Sequence, residues 1–276
     1  QKNHNSLKGV AAVEDEVELL AFCDSTHIAP RDFIRRLVAP VVDGEDFSTG
    51  YHKVVALDAG IVTMAYALCV QLMRYLQGIS SFTQLWGGAM CFRLSAFRRY
   101  GVREFWMTNV VDDCSLADRL IRLGARIRLS ADAVLMTEAR DHDLGVWRHW
   151  MDRQILFLKF CIPCQWVLLG VLACLMLLPV LWAVLALLGV LLGKLSFGWL
   201  LGVLAYAAAL ALVLRGWARF QESVFPVWRW MVAFCASACM FVWVYLGTIL
   251  AEGVLWQGIW YEVGRQGRVI RMRRQK

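Results

Sequence analysis

Charge is what this chain has little of. Only 18% of its 276 residues are charged, and the mean hydropathy is +0.52, which excludes an ordinary soluble enzyme. The shortage is uneven. Charged residues are frequent as far as Arg153 and sparse beyond it, and all five histidines (His4, His27, His52, His142, His149) lie before that point. Zinc-ligand spacing is also missing. The nine cysteines form no paired framework, and the pair Cys161 and Cys164 has no second pair or histidine following it, so that C-x-x-C reads as small residues at a helix start. Reduced thiols on a cytoplasm-facing protein fit best. The segment Gln1-Lys2-Asn3-His4-Asn5 carries neither an initiator methionine nor a signal-peptide pattern, so a processed chain or a fragment is expected.

What remains is one soluble part followed by one membrane part. The formal net charge is +7, and much of the excess sits in Arg265, Arg268, Arg271, Arg273, Arg274 and Lys276. Beside membrane segments such a tail points to anionic lipid headgroups rather than to nucleic acid. Val17 to Cys23 reads as a buried strand. Pro30 stands near the start of a helix over Phe33 to Val38, which Pro40 and Asp43-Gly44-Glu45-Asp46 close. Tyr51 to Leu57 is a second strand, and this order argues for an α/β domain. Ala59 to Leu76 is apolar enough to resemble a span, but Gln71 and Arg74 interrupt it, so a buried or membrane-grazing helix is expected.

Further on, Leu116, Leu120 and Ile121 make a helical face that Gly124 ends, and Ile127 to Leu135 is strand-like. Trp147 to Lys159 suits a helix lying in the membrane interface. Trp166 to Gly193, with Pro179 inside it, Trp199 to Leu214 and Met231 to Leu250 are membrane segments. Three full crossings would separate the basic tail from the soluble domain, whereas its arginines favour the same side. One segment is therefore expected to be re-entrant or interfacial, unless the first is a broken pair.

Three polar signposts carry the chemistry. Asp24-Ser25-Thr26 follows the apolar run Leu19 to Cys23, where an α/β sheet places its ligands. A carboxylate there can hold a divalent ion facing a diphosphate, or it can simply cap the next helix. Asp112-Asp113 precedes a helix. One of two such acids commonly caps, and the other can act as a general base if an acceptor hydroxyl lies within reach. Asp113 is the favoured base, with Asp112 in support. Arg153 can bind phosphate through two hydrogen bonds or can snorkel at an interface, and Gln154 adds a neutral donor and acceptor. The glycines of Trp86-Gly87-Gly88 permit close approach of a ligand, or mark a plain turn into a strand. Trp147, Trp150 and His149 read as interface anchors, with an indole able to stack on a sugar or base.

These motifs, in this order ahead of a membrane region, resemble the membrane-bound family-2 and family-21 glycosyltransferases, especially the ceramide glucosyltransferase-like group. The resemblance rests on Phe22-Cys23-Asp24-Ser25-Thr26, Trp86-Gly87-Gly88-Ala89-Met90, Val111-Asp112-Asp113, Arg153-Gln154 and the segment from Ile259-Trp260-Tyr261 to Arg268. It implies a GT-A-like nucleotide-diphosphosugar domain followed by an α-helical transmembrane domain. It also implies inverting transfer of a hexose from a UDP-sugar to a membrane lipid hydroxyl on the cytoplasmic side. Asp24 would correspond to the metal and diphosphate aspartate, with Mn2+ or Mg2+ as the ion, and Asp113 to the base. Arg153 would match the arginine of the Q-x-x-R-W signature. Lys2, Asn5, Thr26, Gly87 and Gly88 would line the donor side, and Trp86, Trp147 and Trp150 the acceptor side.

The sequence departs from the family pattern at two places. Gln154 stands where tryptophan is usual and Trp150 where glutamine or arginine is usual, which weighs against a processive polysaccharide synthase and for a lipid acceptor. The N-terminal membrane helix, first strand and early aspartate of relatives have no counterpart ahead of Gln1 to Leu7, so a truncated donor lobe is expected. The implied organisation is a partial GT-A domain over 1–153, a membrane domain over 154–258 and a basic tail over 259–276. A non-catalytic membrane protein with a nucleotide- or partner-binding domain is the alternative of a different class.

Overall fold

A computed structural model describes residues 2–13, 16–79, 84–221 and 224–274; Gln1 and Lys276 lie outside them. The first element is helix α1 (Lys2–Ala11), followed by β1 (Leu19–Cys23), α2 (Phe33–Val42) and β2 (Phe47–Ala56). Helix α3 (Ile61–Gln77) leads to β3 (Ala89–Arg93), then to α4 (Leu94–Arg99), α5 (Val102–Thr108), α6 (Cys114–Arg122) and β4 (Ile127–Ala139). The strands form one sheet in the order β1-β3-β2-β4, with β2 and β4 parallel and β3 antiparallel to both β1 and β2. The sheet is mixed, because β3 runs against the others.

Local chemistry explains several details. Strand β1 is an edge strand with alternating burial rather than the fully buried strand its composition suggests. Pro40 lies inside the last turn of α2 instead of ending it. A proline there leaves the carbonyl of residue 36 without its helical partner, and the Ser130 hydroxyl donates to that oxygen at 2.8 Å. Strand β2 starts at Phe47, earlier than expected, and its pairing with β4 slips between Thr49 and Tyr51. Gly50 sits in that bulge, where a β-carbon would collide with the Ala133 carbonyl, a close backbone approach that only glycine tolerates. Phe47, Phe92, Phe97 and Trp106 pack into one aromatic core beneath the sheet.

Helix α7 (Leu144–Cys161) connects this domain to α8 (Pro163–Leu191), α9 (Gly198–Phe220) and α10 (Val227–Ile249). The last three are long and apolar enough to cross a membrane. Helix α3 is buried as the sequence suggests, and it packs directly on α10, where Ser237 donates to the Ala65 carbonyl at 3.3 Å, while Gln221 at the end of α9 donates to Gln71 at 3.1 Å. Polar groups buried between apolar helices need such partners. The ends of α10 are fixed differently. Arg229 donates to the Ala59 carbonyl at 3.0 Å, while Lys159 donates to the carbonyls of Thr248, Ile249 and Ala251 at 2.7, 2.9 and 2.7 Å. The ammonium thus caps the exposed carbonyls of the last turn.

The basic segment expected as a tail from residue 259 is instead part of a folded sheet, β5 (Gly253–Trp256), β6 (Ile259–Val263) and β7 (Val269–Arg274). Its turn returns to the α/β domain, where Val110 N–H donates to the Gly267 carbonyl at 2.9 Å and Asn109 Nδ2 donates to the Gln266 carbonyl at 2.6 Å. The basic strand therefore starts beside the loop that precedes Asp112.

Candidate active site

Four charged side chains meet beyond the carboxyl end of β1. Asp24 follows that strand directly, and its N–H donates to the Gly88 carbonyl at 3.1 Å. Gly87 and Gly88 form the turn that enters β3. Asp113, the acid expected to be the base rather than the cap, is itself the N-cap of α6: its Oδ1 accepts from Cys114 N–H at 2.6 Å. Its Oδ2 accepts from Gly87 N–H at 3.0 Å, which ties the helix start to the glycine turn. Each carboxylate oxygen keeps a second lone pair, and Asp113 is half-buried, so it can still accept a proton.

Asp112 is different. It is 5% exposed, and burial, then the neighbouring Asp113, pushes its carboxyl up to about 6 against the pull of Lys2. Lys2 Nζ lies 3.0 Å from Asp112 Oδ2 and 2.9 Å from Asp24 Oδ1, and it donates to the Gly87 carbonyl at 2.8 Å. Burial works against the charge on Lys2, but Asp112, Asp24 and Asp113 outweigh it and raise the pKa of the ammonium. The helix that carries Lys2 is anchored beside it. Asn3, 6% exposed, directs Nδ2 to the carbonyls of Trp106, Asn109 and Val111 at 3.3, 2.9 and 3.3 Å.

This arrangement tests the divalent ion implied for Asp24. Hard cations need several oxygen ligands. Here the facing oxygens of Asp24 and Asp112 are already bridged by an ammonium, and Ser25-Thr26 supplies no second acid. As arranged, the residues do not fit the ion. The predicted donor residues also sort unevenly. Lys2 and Gly87 lie in the cluster, whereas Thr26 and Asn5 are exposed; the buried asparagine is Asn3. Gly87 is tight for a reason inside the protein, because a β-carbon there would lie 2.7 Å from both Asp112 carboxylate oxygens and 2.8 Å from Lys2 Nζ. A β-carbon on Gly88 would strike the Trp86 indole. The two glycines therefore make room for side chains of this chain, rather than only for a ligand.

A second layer surrounds the acids. Trp86 stacks on His52 with ring centroids 4.7 Å apart and planes at 5°, and it is held by Thr49 Oγ1, which accepts from its N–H at 2.9 Å. His27 and His52 share the Thr137 hydroxyl at 2.7 and 3.0 Å. Burial pushes the His52 imidazole down to about 3, and burial also lowers His27 despite Asp24 nearby. Both rings are therefore neutral near pH 7. Tyr51 is fully enclosed, and burial, then Asp113, raises its phenol.

Arg153 reaches the same region from α7. Burial lowers its guanidinium, while Tyr66 and Asp24 act in the opposite direction. It lies 5.7 Å from the Trp256 ring of the C-terminal sheet. Gln154 is half-buried beside it. Trp150 meets Tyr66 edge-on at 5.1 Å, but Trp147 is 1% exposed. The expected interface anchor at 147 is thus a core residue, because α7 turns that face toward α3 and α10.

Sequence reasoning missed Asn3, His27, His52, Tyr66 and the contacts of Trp256 with Arg153 and of Gln266 with Asn109. For the C-terminal sheet a signal existed. Gln257-Gly258, between alternating apolar residues, takes positive φ at both positions (50° and 72°), the backbone of a two-residue hairpin turn.

A profile of glycosyl transferase family 21 matches residues 1–269. The chain belongs to glycosyl transferase family 21. The match runs through both the acidic cluster and the apolar helices, so both are parts of one family 21 glycosyltransferase. A comparison with curated proteins returns no match.

Proposed function

We propose that this family 21 enzyme moves a hexose from a UDP-sugar to the hydroxyl of a membrane lipid, with inversion, on a GT-A-type domain facing the cytoplasm. The observation that carries this reading is the convergence of Lys2, Asp24, Asp112 and Asp113 on the Gly87 turn, with Arg153 supplied by α7. Asp113 is the general base. It is the more accessible acid of its pair and already lies in a polar hydrogen-bonded frame, whereas the Asp112 carboxylate is buried against Lys2. The acceptor hydroxyl loses its proton to Asp113 as its oxygen bonds to the anomeric carbon. The bond from that carbon to the diphosphate oxygen breaks on the opposite face. Arg153 and Lys2 supply positive charge toward the departing diphosphate, and preorganised charge of this kind is commonly the largest catalytic contribution.

The lipid acceptor is supported by the packing of α3. A cavity of about 200 Å3 lies between α3 and the three apolar helices, lined by Leu68, Leu72, Leu172, Met176, Trp217 and Phe234 among others. Apolar cavities of about this size take up hydrocarbon. Tyr66, beside Arg153, lies two to six residues before the α3 residues of that lining, a rise of about 3–9 Å along a helix. The ceramide-like acceptor of the family's ceramide glucosyltransferases is the proposed form.

The test is sugar transfer by the full chain in vesicles containing a hydroxyl-bearing sphingolipid and a labelled UDP-hexose. One glycolipid product supports the reading. A long water-soluble polymer would indicate a processive synthase, and binding without transfer would indicate a non-catalytic protein.

A further inference from the structure

We propose that the resident cation of this donor site is the Lys2 ammonium, held where a divalent ion would otherwise sit, so that donor binding in this chain is independent of metal. The inference rests on the donor-site reading above. Its grounds are geometric. An ammonium has three N–H donors and no acceptor, and Lys2 has an oxygen for each: Asp24 Oδ1 at 2.9 Å, Asp112 Oδ2 at 3.0 Å and the Gly87 carbonyl at 2.8 Å. All three donors therefore have partners within the protein.

The position is also built rather than incidental. Lys2 is not a long side chain folding onto acids from a loose segment. Its neighbour Asn3 is buried and reaches three main-chain carbonyls of the 106–111 stretch, which leads directly into Asp112. Gly87 leaves the space the ammonium needs, since a β-carbon there would stand 2.8 Å from Nζ. On the other side the aspartate of β1 is followed by Ser25 and Thr26, so the strand end offers one carboxylate. The imidazole nearest to Asp24, that of His27, is 4.0 Å from its Oδ2 and is engaged at Nδ1 with Thr137. Among the described residues no group of three His, Cys, Asp or Glu side chains converges with metal-ligand geometry. The acids are thus arranged around a monovalent, protein-borne charge.

The consequence for the donor is specific. An ammonium is a point charge that can accept an approaching phosphate oxygen in its shell by giving up one carbonyl contact, whereas a divalent ion at the same place would first have to displace it. Lys2 therefore acts as a donor-binding residue that fixes Asp24 and Asp112 and presents its charge to the diphosphate.

The experiment uses the full chain in lipid nanodiscs and reads Mn2+ binding by electron paramagnetic resonance, beside transfer in the presence of EDTA. Wild type is expected to bind Mn2+ weakly, and EDTA is expected to leave transfer unchanged. Lys2→Met opens the acids and is expected to bind Mn2+ roughly tenfold to a hundredfold more tightly, the usual reach of a neighbouring group on a metal site. Lys2→Arg keeps the charge and is expected to bind Mn2+ as weakly as wild type, which separates charge from misfolding. Tight Mn2+ binding by wild type that Asp24→Asn removes would overturn the inference, as would loss of transfer in EDTA. If no UDP-sugar is transferred at all, the donor reading fails, while the Mn2+ comparison of Lys2→Met with wild type still decides the inference.

Discussion

Replacing Gly87 by alanine tests the acidic cluster at its tightest point. The new β-carbon would lie 2.7 Å from both oxygens of Asp112 and 2.8 Å from Lys2 Nζ, well inside ordinary contact distance. Asp112 is short and almost fully buried, so it cannot swing clear, and the strain falls on its pair with Lys2. Breaking a buried ion pair costs about 3–5 kcal/mol, and overpacking alone about 1–3 kcal/mol. The Lys2 side chain keeps 30% of its surface exposed, and water screens part of the loss. A net destabilisation of about 2–3 kcal/mol is expected, which for a chain of this size lowers the melting temperature by about 5–10 °C. The assay is thermal denaturation in detergent, with transfer measured below the transition. The control is Gly9→Ala in the same helix as Lys2, where nothing lies near the added carbon and helix propensity predicts no loss. Gly87→Ala with wild-type stability and wild-type transfer would refute the claim that Lys2 and Asp112 are held together by that turn.

Other perturbations read different parts of the site. His52 is held neutral in the fold with its pKa pushed down to about 3 from 6.5. Its contribution to stability is therefore present above pH 6.5 and lost as pH falls toward 3, at about 1.4 kcal/mol per pH unit. His52→Gln should flatten the acid side of a stability–pH curve, and parallel curves would contradict the assignment. Trp256→Ala removes the ring beside Arg153, and a cation–π contact of about 0.5–1 kcal/mol predicts a several-fold rise in donor KM that Trp256→Phe restores. Asn109→Ala removes the bond to the Gln266 carbonyl, worth about 1 kcal/mol. Limited proteolysis should then cut the C-terminal sheet faster than in wild type.

The parts that local chemistry determines were legible in the sequence. Asp24 at the end of an apolar run is a strand-end signal and follows β1, and the acid pair before a helical pattern is an N-cap signal, although the cap is Asp113 and not its neighbour. The three apolar segments were equally plain, since length and composition decide them. What pairs with what was not legible. Lys2 and Asp112 are 110 positions apart, and they meet because α1 is anchored by Asn3 on the 106–111 stretch and packs Leu7 and Val10 on the aromatic core. The divalent ion expected at Asp24 came from the strand-end carboxylate and from the resemblance, whereas Lys2, whose Nζ lies 2.9 Å from Asp24 Oδ1, was not foreseen as its partner. Trp147 was misplaced for a related reason. An aromatic and basic helix looks interfacial in isolation, but tertiary packing decides which of its faces is covered, and α3 covers this one. The C-terminal sheet was obscured by its arginines, although the Gln257-Gly258 turn signal was present.

The most direct test of the central claim is transfer by the full chain and by Asp113→Asn in vesicles that contain the lipid acceptor and labelled UDP-hexose. Wild type should give one labelled glycolipid. Asp113→Asn can keep only one of the two accepted N–H bonds, to Cys114 or to Gly87, and cannot take the hydroxyl proton, so its turnover should fall by about two to four orders of magnitude with donor binding retained. Undiminished turnover in Asp113→Asn, or no label in the lipid fraction with wild type, would contradict the account.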